Sequence, residues 1–196
     1  MSKIDLSFPL ISQASLPADH GYLLYVGLCR LMPQLHGSDG YAVHPVRGQQ
    51  TGNRQLQLCP WSRLTFRAEA EKIPELIALA GKQLLVADRV LRVGIPEVHA
   101  LTSEPAVRSR LVTTKNGQDA ERFVKEIRRQ LEAMQVSSEA ILTLGKRRTI
   151  HIRDKEVVGH EVIIEGLSAE ESLTIQEQGL GGRRHMGCGV FVPVRK

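Results

Sequence analysis

Apolar and polar positions alternate from the start of the chain. In "IDLSFPLI" the period is two, the pattern of a half-buried strand. The period then lengthens. Leu24, Leu28, Leu31, Met32 and Leu35 recur at helical spacing, which predicts a first helix that starts at "LPAD", takes Asp19 as its cap and runs to about Leu35. "HGSDG" is a loop, "YAVHPV" a short second strand stopped by Pro45, and "RGQQTGN" a polar, mobile connection. "RQLQL" and "RLTFRA" read as strands paired around the turn "CPWS". Ile73, Leu76, Ile77 and Ala80 predict a second helix closed by Gly81. "QLLVADRVLRVGI" is a hairpin turning near Asp88, after which "PEVHALTSEP" leads out of the first half.

The second half repeats the order. "SRLVTTK" is a strand. Asp119 starts a helix whose inner face is Phe123, Val124, Ile127, Leu131 and Met134. "RRTIHIRDKEVVGHEVIIEGL" is a strand pair turning at Asp154 and Lys155. Ser168 and Glu171 have the spacing of a capping box for the next helix, Gly179 stops it, and "CGVFVPV" is the last strand. Two β-α-β-β-α-β runs predict an α+β protein of two tandem ferredoxin-like units with antiparallel sheets, residues 1–101 and 108–196, linked near 101–107.

Composition narrows the class. The chain has 196 residues, 42% hydrophobic and 24% charged, enough for a sizeable core without disulfides or metals. Cys29, Cys59 and Cys188 are scattered, with no zinc-like spacing, so a reducing cytoplasm is expected. No signal peptide and no membrane span is read, since the chain has no run of about 18 apolar residues. The net charge of +5 favours a polyanionic partner, and the cations concentrate from Arg108 onward.

"GLGGRRHMGCGVF" ends the second unit with glycines and cations. Glycine backbone can leave N–H groups uncovered, and consecutive amides beside Arg183, Arg184 and His185 could cradle a phosphate; a plain glycine-rich turn is the other reading. A Walker-type loop or a dinucleotide fingerprint is excluded by context, because each opens a helix and this loop opens a strand.

Gly179-Leu180-Gly181, five residues, then Gly187-Cys188-Gly189 resembles the G-h-G-x5-G-h-G loop (h hydrophobic) of the RAMP superfamily, between the last helix and last strand of a ferredoxin-like unit. With the tandem units, "ADHGYLLYVGL", "LHGSDGYAVHPVRG" and "GLSAEESLTIQEQGLGGRRHMGCGVFVP", the chain is similar to the CRISPR RNA-processing endoribonucleases of the Cas-six type, in their Myxan-type variant. The resemblance covers nearly the whole chain. It implies a metal-independent cut in precursor CRISPR repeat RNA, 3′ of a stem-loop, by attack of the upstream 2′-hydroxyl. The products are a 2′,3′-cyclic phosphate and a 5′-hydroxyl. It implies neither metal nor small-molecule cofactor. It also implies that the enzyme stays on the crRNA 3′ stem-loop as a subunit of a type I, Cascade-type interference complex.

Such a cut needs a base, an acid and a cation, and histidine suits the first two. The family places its histidine in or just after the first helix, which here is His36 in "PQLHG"; His44 is the second candidate. His20 lies about four turns from His36 and reads as a helix-end cap or brace. Where some relatives carry a tyrosine in that helix, this chain has "GLCRL"; Arg30 could stabilise the phosphate, with Tyr25, Tyr41 and Arg47 as further helpers. Gly179, Gly181, Gly182, Arg183, Arg184, His185, Gly187 and Gly189 are expected to contact RNA. Lys146, Arg147 and Arg148 in "GKRRT", with no neutralising neighbours in sequence, suit an RNA stem. Lys125, Arg128 and Arg129 either join them or form a solvated helix face with Glu121, Glu126 and Glu132. Aromatics, at 4%, are too few for a single-strand stacking platform. A non-catalytic RAMP scaffold holding the hairpin is the alternative. It would have no need of an imidazole beside the RNA.

Overall fold

In the first unit the sheet is assembled around β1 (Lys3–Ile11), whose even-numbered side chains Leu6, Phe8 and Leu10 point into the core. The computed structural model describes residues 3–12 and 14–194, and the chain divides into two compact units, Met1–Ala100 and Leu101–Lys196. After β1 come β2 (Ser15–Pro17), α1 (Gly21–Leu31), β3 (Tyr41–Val43), β4 (Gln49–Thr51), β5 (Gln55–Gln57), β6 (Arg63–Glu69), α2 (Ile73–Ile77), β7 (Gln83–Val86), β8 (Arg89–Val93) and β9 (Glu97–Ala100). The main sheet runs β3-β6-β1-β8-β7, with β9 also on β1, and its pairings are antiparallel. Placing the first strand between the third and the last is the ferredoxin-like order.

Several expectations change. α1 begins at Gly21 with no side-chain cap from Asp19; His20 occupies the cap position. The helix ends at Leu31 because the residue before a proline is driven out of the helical region, and Met32 has φ −135° and ψ 80°. A 3₁₀ turn, Pro33–Leu35, then carries the chain to His36. "RGQQTGN" is ordered: β4 pairs with β5, and β5 with β2, as a separate three-stranded sheet. β5 and β6 therefore do not pair with each other; β6 lies between β1 and β3. "PEVHA" contains β9, which aligns Ile4 with Ala100 and Ser7 with Glu97. The β7–β8 hairpin turns at Ala87 and Asp88, as expected.

The second unit holds β10 (Ala106–Val112), α3 (Ala120–Ala133), β11 (Ile141–Ile152), β12 (Lys155–Glu165), α4 (Ala169–Gln178) and β13 (Val192–Pro193). Its sheet order, β11-β12-β10-β13, repeats the ferredoxin-like arrangement. Asp119 caps α3 through the Arg122 N–H, and Ser168 and Glu171 form a complete capping box on α4. Phe123, Ile127 and Leu131 bury against Val107, Val162, Ile164 and Phe191; each such side chain contributes about 1.5–3 kcal/mol. The β11–β12 turn is Arg153-Asp154, one residue earlier than expected. The last strand is shorter than expected. Cys188 to Phe191 are buried, but Gly189 bonds the Leu111 carbonyl from within the loop, and only Val192–Pro193 forms the ladder with β10.

Candidate functional site

In the first unit α1 and the 3₁₀ turn bring Tyr25 and His36 together. Tyr25, buried on the inner side of α1, places its hydroxyl 3.2 Å from His36 Nδ1, and the two rings lie nearly parallel, 20° apart. Burial and the neighbouring Cys29 thiol raise the Tyr25 pKa, so the phenol keeps its proton. His36 itself is exposed, beside Gly37. Nδ1 is thereby engaged, while Nε2 has no partner among the described residues. Arg30, in the last turn of α1, is exposed and forms no ion pair among the described residues.

His44 is in a different environment. Its Nε2 lies 3.2 Å from Asp5 Oδ1, and Arg67 donates Nε and Nη2 to the two Asp5 oxygens at 2.8 Å each. Burial pushes the His44 pKa below its ordinary value, against the pull of Asp5. Burial opposes the ionised Asp5 carboxyl too, but the hydrogen bonds from His44 and Arg67 outweigh it and hold its pKa far below the carboxylate range. His36 and His44 thus do not share a hydrogen-bond network. His20 is a brace: Val46 N–H donates to its Nε2 at 3.1 Å, so Nδ1 carries the proton and donates to the Pro17 carbonyl at 3.0 Å. Tyr41 donates to Glu75 at 2.7 Å, and burial raises its pKa.

In the second unit the glycine loop is built differently from an open amide cradle. Every amide from Gly179 to Gly182 and from Met186 to Gly189 donates within the fold, to carbonyls of Ile175, Gly189, Thr113, Arg183, Arg184 and Leu111 and to the Gln130 side chain. Gly181 shows why glycine is required. Its φ is +71°, and an added Cβ would stand 2.4 Å from the Thr113 carbonyl oxygen. A Cβ added at Gly189 would stand closer still to the Leu180 carbonyl oxygen, at 2.0 Å. The glycines shape the loop, and Arg183, Arg184 and His185 sit at the 3₁₀ turn between the glycine pairs. Arg184 also donates to the Gln178 carbonyl, at 2.8 Å.

The "GKRRT" cations lie on β11 where its register against β12 shifts between Leu144 and Arg147. Arg148 among them has an acidic neighbour, one that sequence distance conceals. Glu161, 6% exposed, accepts from the Lys146 N–H and pairs with Arg108. Burial raises its pKa, but the Lys146 bond and the Arg108 and Arg148 charges outweigh this and lower it. Lys146 and Arg147 are exposed; Arg147 reaches the Gln118 side chain at 3.0 Å, and the buried Arg148 Nε has no hydrogen-bond partner among the described residues. On α3, Arg129 pairs with Glu126 at 2.7 Å and Arg128 donates to the Ala140 carbonyl at 2.7 Å. Arg129 and Gln130 hold the Glu126 pKa down to about 2. Arg122 and Arg129 are thus neutralised within the helix, whereas Lys125 and Arg128 have no carboxylate partner among the described residues. Sequence reasoning missed Glu161, Gln130 and the Asp5–Arg67 pair, since each partner is distant along the chain. Among the described residues no His, Cys, Asp and Glu side chains cluster in threes as a metal site would need, and no helix is long and apolar enough to cross a membrane.

A family model described as Cas6 Crispr matches residues 4–196. The CRISPR-associated endonuclease Cas6 of Myxococcus xanthus (strain DK1622) is 42% identical over 190 residues, 97% of this chain and 81% of that one. Among solved structures, a CRISPR associated protein Cas6 is similar with a TM-score of 0.69 at 12% identity, covering 99% of this chain and 100% of that one. An RAMP protein that binds different RNA substrates is similar with a TM-score of 0.62 at 14% identity, covering both chains in full (100%). At such identities the two structures bear on the fold alone, which is the α+β, tandem ferredoxin-like one. The matched family model and the Myxococcus relative, together with the glycine-loop spacing, make this chain a member of the Cas6 family of CRISPR-associated endoribonucleases.

Proposed function

We propose that this protein cuts CRISPR repeat RNA on the 3′ side of its stem-loop without a metal ion, with His36 as the catalytic group. The observation that carries the reading is the exposed His36 ring held at Nδ1 by the Tyr25 hydroxyl. In this mechanism Nδ1–H donates to the Tyr25 oxygen and Nε2 takes the proton of the 2′-hydroxyl. The 2′-oxygen attacks phosphorus, the bond to the 5′-oxygen breaks, and that oxygen takes a proton from solvent. A 2′,3′-cyclic phosphate and a 5′-hydroxyl result. Arg30, exposed in the last turn of α1, offers a guanidinium to the charge that grows on the phosphoryl oxygens. His44 fits the role less well, because Asp5 occupies its Nε2.

Binding is the work of the second unit. Lys146 and Arg147 on β11, and Arg183, Arg184 and His185 in the loop, meet the backbone of the hairpin. The enzyme then stays on the crRNA 3′ stem-loop and joins the subunits of a type I interference complex in the cytoplasm. The test is cleavage of labelled repeat RNA in EDTA. The parent protein is expected to cut, and His36→Ala to lose about 10²–10⁴-fold in rate while still binding the hairpin. Cleavage that requires Mg²⁺, or His36→Ala cutting at the parent rate, overturns the mechanism. Binding without any cleavage by the parent makes the chain a scaffold.

A further inference from the structure

Trp61 is the sole tryptophan of the chain, and it is 55% exposed. It sits on a turn that is held from several sides. The Ser62 N–H donates to the Cys59 carbonyl at 2.8 Å, and the Cys59 N–H returns to Ser62 Oγ at 2.9 Å. Ser62 Oγ donates to the Arg47 carbonyl at 2.7 Å, and the Ser62 carbonyl accepts from the Leu10 N–H at 3.1 Å. Arg63 Nη1 clamps the Pro60 and Ser62 carbonyls at 2.7 and 3.1 Å. Ser62 is fully buried, while the residue before it carries its indole into solvent. So rigid a base under an exposed aromatic ring spares the ordering entropy that a loose side chain would lose on binding. Arg47, whose carbonyl is tied to this turn, is itself exposed.

We propose that Trp61 stacks on an unpaired base of the RNA flanking the hairpin, with the Arg47 guanidinium on the neighbouring phosphate. This rests on the RNA-cleaving function proposed above. An indole face accepts any base by stacking, and a cation beside it suits the base's own phosphate. One such residue grips one base; it needs no platform of aromatics. Arg47 and Arg63 flank the turn with positive charge, the sign that a phosphate backbone requires.

The sole tryptophan makes a direct experiment possible. Repeat RNA with a single-stranded flank, and the same hairpin without it, are titrated into the full-length protein. Indole emission and the anisotropy of the labelled RNA are followed together. Quenching that saturates with the anisotropy for the flanked RNA, and is small for the bare hairpin, is expected. Trp61→Ala should weaken binding of the flanked RNA about 5- to 150-fold, Trp61→Phe should restore most of it, and neither should alter the salt dependence, because stacking releases no counterions. Flat emission while anisotropy saturates, or unchanged affinity in Trp61→Ala, overturns the stacking contact and leaves the cleavage mechanism standing. No anisotropy change with either RNA sinks both.

Discussion

Arg67 is 2% exposed, and the carboxylate of Asp5, 62 positions away along the chain, matches its charge. The bidentate pair fixes β6 to β1 at Asp5↔Arg67, and His44 closes the network from the end of β3. Removing one partner of such a pair leaves a buried charge without compensation. Asp5→Asn should therefore destabilise the protein by about 3–5 kcal/mol in urea unfolding, and loss below about 1 kcal/mol would mean that water reaches Arg67. The network also sets a pH dependence. Asp5 is held below its unfolded pKa of about 3.9, so its contribution is complete above that pH and is lost as the pH falls toward the folded value. His44 is also lowered, so below about 6.5 the unfolded chain takes up a proton that the folded protein resists. Both act in one direction. Stability should fall on acidification, beginning near pH 6.5, and His44→Asn should remove the first part of that decline in denaturation curves measured between pH 7 and pH 5.

At the scale of elements, the loop between α4 and β13 is held by its backbone, and glycine substitutions can separate shape from contact. Gly181→Ala places a Cβ 2.4 Å from the Thr113 oxygen at φ +71°. The left-handed conformation alone costs about 1–2 kcal/mol, and the displaced backbone adds to it. Gly182, the next residue, has nothing within 4 Å of its virtual Cβ, so Gly182→Ala should stay within about 0.5 kcal/mol of the parent. If the two variants unfold at the same denaturant concentration, the loop has room that its hydrogen bonds deny. Elements with strong burial contrast were legible from the chain alone. The α3 stripe, the Ser168–Glu171 box and the β7–β8 hairpin follow from spacing because each local signal agrees with the packing it meets. β4 and β9 were not legible: every residue of each is exposed, so no alternation marks them as strands. The site divides in the same way. The position of His36 followed from the family resemblance. That Tyr25 rather than Tyr41 meets it depends on how α1 is rotated and on Glu75 taking the Tyr41 hydroxyl.

For the molecule as a whole, the net charge of +5 overstates what is available to a polyanion. Arg108 is paired with the buried Glu161, Arg122 with Asp119 at 3.3 Å, and Arg129 with Glu126 at 2.7 Å. These pairs release no counterions when RNA binds, because their charge is already matched. Lys146 and Arg147, exposed at the β11 register shift, are without a carboxylate partner for their side chains among the described residues. Affinity for a polyanion falls with salt in proportion to the number of phosphates neutralised, and each lost contact lowers the slope of log affinity against log salt by about 1. Lys146→Ala and Arg147→Ala should therefore each flatten that slope by about 1 for the repeat hairpin, and the double variant by about 2. Arg129→Ala should change it little and cost little stability, as expected for an exposed pair three residues apart on a helix. If Arg129→Ala flattened the slope as much as Arg147→Ala, the Glu126 pair would have to open on RNA, and α3 would belong to the binding surface after all.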